Sequence, residues 1–113
     1  MANTFVNKKV DLTSTSATTL YTVTTATTAV IKSILVSDDS GSGDTITITL
    51  TDTDAAVFSL FKVKSISANG TSELLSAPLI AEESEIIKVT AATANRLHVV
   101  LSALETKPRV VTS

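Results

Sequence analysis

The sequence predicts an all-β fold, a single antiparallel β-sandwich or jelly roll of seven or eight strands with extended terminal arms. Three observations predict it. Thr and Ser together outnumber Asp, Glu, Lys and Arg, which make up only 18% of the chain, and β-branched Thr suits a pleated, half-buried surface better than a helix. Apolar and hydroxylated residues alternate with period two, most clearly in Asp44–Asp52. Clusters of Gly, Asp, Asn and Ser recur between these runs, at the spacing of short strands joined by turns.

A length of 113 residues with 43% hydrophobic content suits one domain with a core of its own. The division read from the sequence is an N-terminal strand or arm over residues 1–11, a sandwich over 12–105 and a C-terminal arm over 106–113.

Phe5 to Asp11 and Thr18 to Val23 are the first two strands. Ala29 to Val36 carries apolar residues on both faces, Val30, Ile34 and Val36 on one and Ile31 and Leu35 on the other, as a central strand covered on both sides would. It is expected to lie deepest. Asp44 to Asp52 follows, with Ile46, Ile48 and Leu50 on a dry face and Thr45, Thr47, Thr49 and Thr51 opposite. Between the two, Ser37 to Gly43 supplies turn chemistry, so the strands are expected to form a hairpin.

Ala56 to Val63 is apolar enough for a strand or a short buried helix, and periodicity does not decide between them. Asn69-Gly70 signals a tight reversal. Pro78 confines Ala77 to Ile80 to an edge or a connection. Glu85 to Ala91 and Arg96 to Leu104 are the last two strands, and beyond them Pro108 breaks the ladder, leaving Thr106 to Ser113 as an arm.

Function classes are then narrowed by what the chemistry requires. Net charge is −2 and the basic residues are scattered, with no cluster larger than pairs such as Lys8-Lys9 and Lys62/Lys64, so no footprint for nucleic acid is present. No run approaches the roughly 20 apolar residues of a membrane span, and Met1 to Lys9 lacks the apolar stretch of a signal peptide, so the chain is expected to be made and kept in a cytoplasm. With no cysteine, disulfide and thiol chemistry are excluded.

No nucleophile–base pair, H-E-x-x-H or phosphate loop occurs, and His98, the single histidine, sits within a strand where a structural role is expected. The chain is therefore read as a non-enzyme without cofactors. Asp38, Asp39 and Asp44 are weak candidates for calcium, but they lack the order of an EF-hand loop and a turn is favoured. Asn69-Gly70-Thr71 fits a glycosylation sequon and is read as a turn. A carbohydrate-binding module would grip sugars with exposed rings, and the chain has no Trp, one Tyr and three Phe.

In order along the chain stand Thr19-Leu-Tyr-Thr-Val23, Thr28 to Val36, a Ser/Gly/Asp turn, the Thr-Ile-Thr-Ile-Thr-Leu strand, Ser72-Glu-Leu-Leu75 with Pro78-Leu79, Ile87 to Ala92, and Val99 to Glu105. In this order the chain resembles the small β-sandwich virion structural proteins of tailed bacteriophages, notably those of marine bacteria and cyanobacteria. The resemblance spans Thr18 to Glu105. It departs at Glu82-Glu-Ser-Glu85, where that family often carries a Gly-Asp turn.

What the resemblance implies is a subunit present in many copies on a capsid or tail. The expected function is a capsid decoration or cement subunit that binds neighbouring capsid proteins, with a tail, collar or fibre-associated subunit as the near alternative and a carbohydrate- or calcium-binding module as the distant one. Expected partners are other virion proteins and further copies of the chain, with no nucleic acid and no membrane. The terminal segments are the expected contacts, through Phe5, Val6, Lys8, Lys9, Lys107, Arg109, Val110 and Val111.

Overall fold

The computed structural model describes residues 2–107. They form nine strands: β1 (Ala2–Asp11), β2 (Thr18–Thr22), β3 (Thr28–Asp38), β4 (Asp44–Thr51), β5 (Val57–Ile66), β6 (Thr71–Glu73), β7 (Leu79–Ala81), β8 (Ile86–Ala91) and β9 (Leu97–Lys107). One sheet runs in the order β1-β9-β3-β6, with β7 also pairing β3, and the other runs β2-β8-β4-β5. All pairs are antiparallel. The fold is all-β, as the alternation requires, and the sheets pack as a β-sandwich.

The core is the layer between the sheets. Ile31, Ile34 and Val36 of β3 and Leu97, Val99 and Leu101 of β9 meet Ile46 and Ile48 of β4 and Ile87 and Val89 of β8, all fully buried. Each such side chain contributes roughly 1.5–3 kcal/mol relative to exposure. The phase of β3 differs from simple alternation because a bulge between Ile31 and Ser33 adds one residue. Ile31 and Ile34 therefore share the inner face, and Val30 and Leu35 point out.

Several expectations are corrected by where the chain crosses. Ser37–Gly43 does not close a hairpin, since β3 and β4 belong to different sheets. Asn69-Gly70 does turn, with the Gly70 amide donating to the Ser67 carbonyl at 2.9 Å and Asn69 at φ 54°, but it also carries the chain from one sheet to the other. Only β4 to β5 and β6 to β7 stay within a sheet.

There are nine strands in place of seven or eight. Thr71–Glu73 and Leu79–Ala81 each pair a separate stretch of β3. Residues 56–63 fall in a strand and not a helix, on the free edge beside β4. The N-terminal segment is no extended arm, because β1 pairs β9 from Ala2↔Lys107 to Asp11↔His98. Thr106 and Lys107, expected in the C-terminal arm, continue β9.

Two polar side chains close gaps that this topology leaves. Between β6 and β7, the edge of β3 lacks a strand partner, and the Glu73 carboxylate takes its place. It accepts from the Ser33 hydroxyl, from the Ile34 amide at 2.9 Å and from the Leu75 amide at 3.1 Å. Burial alone pushes this carboxyl up, and those donors together outweigh it and hold it below its usual range. At the other side, Tyr21 of β2 donates its hydroxyl to Glu105 of β9, which ties the two sheets. Burial first, then the bond to the carboxylate and its charge, push the phenol above its usual range.

The outer edge of β1 is guarded by Lys8, which points to the inner side of the sheet in register with Leu101. Its ammonium lies 5.9 Å from the Tyr21 ring centroid. A charge placed there disfavours addition of another strand to that edge.

Val63 takes φ 52° at the bulge of β5, with its amide donating to the Thr47 hydroxyl at 3.0 Å. A β-branched residue in the left-handed region is strained, and this one is 60% exposed, so little packing compensates. Val63→Asn is expected to raise stability by about 1 kcal/mol, seen as a higher Tm in thermal unfolding.

Candidate contact surface

The two sheets present different faces to solvent. On the outside of the β2-β8-β4-β5 sheet, Thr47 stands opposite Thr90, Thr49 opposite Lys88 and Thr45 opposite Ser65. It is hydroxylated over β4 and β8, while Ile86 and Val57 stand beside Thr51 and the edge strand β5 exposes Val57, Phe58 and Val63.

The outside of the β1-β9-β3 sheet is different. Phe5 is in register with Leu104, Leu104 with Val30 and Val30 with Ile80, which makes one apolar row across the whole sheet. Phe5 is 77% exposed and Ile80 52%. Further along the strands, Lys9, Val100, Leu35 and Glu73 form a second row, apolar in the middle and oppositely charged at its ends. Asn7 and Ser102, then Ser33, separate the two rows. These aligned apolar side chains make the outer face of this sheet the candidate contact surface.

The corner of the sandwich between β3 and β4 is held by Asp38. Its side chain is buried, and its carboxylate accepts from the Ser40 hydroxyl at 2.6 Å, the Ser40 amide at 3.1 Å, the Gly43 amide at 2.8 Å and the Asn69 amide at 3.1 Å. The Ser40 hydroxyl, with the three amides, holds the carboxyl well below the usual aspartate range against the opposing effect of burial. Gly43 makes the approach possible, with φ 72° and the Ile66 carbonyl only 3.0 Å from where a Cβ would stand.

The three aspartates considered for calcium are thereby separated in role. Asp38 is turned inward onto four donors, Asp44 accepts from the Thr93 amide at 2.8 Å, and Asp39 is exposed beside His98. Among the described residues no group of three His, Cys, Asp or Glu side chains is disposed to hold a metal ion.

His98 stands on the outer face of β9, its Nε2 3.2 Å from an Asp11 oxygen and 3.8 Å from an Asp39 oxygen. It borders an open depression of about 270 Å³ lined by Lys9, Val10, Asp11, Val99 and Val100. The imidazole thus stands between β1 and the loop after β3, beside two exposed carboxylates.

No family model matches the chain, and no curated protein matches it. Its surfaces therefore carry the functional argument themselves.

The contact residues expected from the sequence are distributed as follows. Phe5 and Lys9 lie on the outer face described above, Val6 packs against the core, and Lys8 guards the edge. Lys107 is exposed at the end of β9. Arg109, Val110 and Val111 lie outside the described residues. The sequence reasoning missed Val30, Leu35, Ile80, Val100 and Leu104. Their signal is present in the runs Ala29 to Val36 and Leu97 to Leu104, which are apolar in both phases although only one phase reaches the core.

Asp38→Asn is expected to lower Tm at neutral pH, since an amide cannot accept from four donors. The carboxylate's stabilisation is present in full above the ordinary aspartate value of about 3.9, declines as pH falls below it, and is gone beneath the depressed native value. The gap in Tm between wild type and variant should therefore close on acidification, as pH-resolved thermal unfolding followed by circular dichroism would read.

Proposed function

We propose that this chain is a non-enzymatic virion structural subunit of a tailed bacteriophage, most specifically a capsid decoration or cement subunit. Made in the host cytoplasm, it would act in the virion by contact with neighbouring subunits. The observation that carries the reading is the pair of aligned apolar rows on the outside of the β1-β9-β3 sheet, a surface suited to burial against protein.

Two further points support it. With β6 and β7 taken as one interrupted edge strand, the orders β1-β9-β3-β6 and β2-β8-β4-β5 fit the jelly-roll reading, an architecture used by capsid and lectin domains. The resemblance to phage virion proteins over Thr18 to Glu105 points the same way. A subunit repeated by symmetry gains affinity from many modest contacts, so a face of this size is enough.

The tail, collar or fibre-associated alternative rests on the same observation. Co-sedimentation of the purified protein with isolated heads and isolated tails of tailed phage separates the two. Saturable binding to heads is the expected result. Binding to tails alone would assign the tail role, and sedimentation with neither would overturn the virion reading.

A further inference from the structure

We infer that the outer face of the β1-β9-β3 sheet is the interface of a two-fold symmetric homodimer, its occupant being the same face of a second copy of this chain. The inference stands on the register of the sheet and goes beyond the virion reading: the neighbouring subunit buried against this face is a second copy of the chain, and contacts with capsid or tail proteins fall to the rest of its surface.

The starting point is a strand that is apolar on both sides. A strand with that pattern is one covered on both sides. Yet within one copy the outer face of β3 has no cover: Leu35 is 38% exposed, and Phe5 and Ile80, in the other row of the same face, are exposed too. The inner face is filled by the sandwich. What is missing is a layer on the outside.

The order of residues along each row says what that layer is. Take a two-fold axis in the plane of the interface, parallel to the strands and passing between β9 and β3. Each row then meets its own reverse. In the first row Phe5 faces Ile80 of the second copy and Leu104 faces Val30. In the second row Val100 faces Leu35, and Lys9 faces Glu73, which happens twice in the dimer. Between the rows Ser102 faces Ser33, and beyond them His98 faces Ser37. Apolar groups meet apolar groups, hydroxyls meet hydroxyls, and the cation at one end meets the anion at the other.

Charge complementarity also selects this axis over its rival. A two-fold perpendicular to the strands, through the Asn7 and Ser102 row, exchanges the two apolar rows. Phe5 then faces Lys9 and Ile80 faces Glu73, which strands each terminal charge on an apolar side chain. The Glu73 carboxylate is held ionised by Ser33 and two amides, so its charge is in place when Lys9 arrives.

The size of the face is sufficient. Four strands at about 4.8 Å and ten residues at about 3.3 Å give roughly 600 Å² per copy and roughly 1,200 Å² in total. That is the low end of stable interfaces. Facing sheets pack with their strands inclined about 30° to one another, which a two-fold permits when each copy is turned half that amount from the axis. The outer face of the other sheet, with its threonines and Lys88, remains free for other contacts.

The test uses the full chain in solution. Sedimentation equilibrium of the wild type is expected to show monomer and dimer exchanging with a Kd of about 1–100 μM. Lys9→Glu is expected to raise that Kd about tenfold, because two like-charge contacts are created per dimer, and Lys9→Glu combined with Glu73→Lys to restore it. Since Glu73 also holds the edge of β3, circular dichroism confirms that the double variant folds.

Cysteine cross-linking fixes the geometry, as the chain has no cysteine of its own. Phe5→Cys and Ile80→Cys are exposed substitutions, and the two positions lie three strand spacings apart within one copy, about 14 Å, too far for an internal disulfide. Mixing the two single variants under oxidation is expected to give a disulfide-linked dimer, whereas Phe5→Cys alone is not. A wild type still monomeric at about 1 mM, a dimer indifferent to Lys9→Glu, or efficient self-linking of Phe5→Cys would each overturn the proposal.

Discussion

One buried carboxylate governs the corner on which this fold turns. Asp38 ends β3 and begins the passage to the opposite sheet, and its four hydrogen bonds reach the loop before β4 and the turn before β6 at once. Two places where the chain changes sheet are thus fixed by the same oxygens. A sandwich whose connections mostly cross between layers needs such anchors, since a crossing loop has no ladder to satisfy its amides. The acidic, glycine-bearing stretch that looks like an ion-binding loop is used instead to bind its own backbone.

The strand-forming residues made the fold class legible. Ile46, Ile48 and Leu50 against Thr45, Thr47 and Thr49 can satisfy a dry face and a wet face only as a strand, and the Asn69-Gly70 pair reported a turn where one exists. What the sequence did not report was destination. Asp, Ser and Gly at positions 38–43 say that the chain reverses, because their preferences act over a few residues, whereas the choice between pairing with the last strand and crossing to the facing sheet is made by the whole core. The bulge at Lys32 is a second case. One inserted residue exchanges the faces of everything after it, and nothing local in Ile31-Lys-Ser-Ile34 announces the insertion.

The candidate surface was half legible for the same reason. Phe5 and Lys9 were visible because a terminal segment draws attention to itself. Val30 and Leu35 belong to a run whose two apolar phases predict cover on both sides, yet β3 has one filled side and one open side. The apolar rows emerge only when register brings residues from the first and last strands together with Val30 and Ile80. The two outer faces differ: one carries threonines over β4 and β8 with apolar side chains along β5, and the other aligns apolar side chains in rows across the whole sheet.

The pairing of β1 with β9 also dictates how the molecule comes into being. These two strands lie at opposite ends of the described residues, and the larger sheet is complete only when they meet. Closing it joins segments from opposite ends of the polypeptide, and such long-range closure belongs to the slow, millisecond-to-second class of small-domain folding.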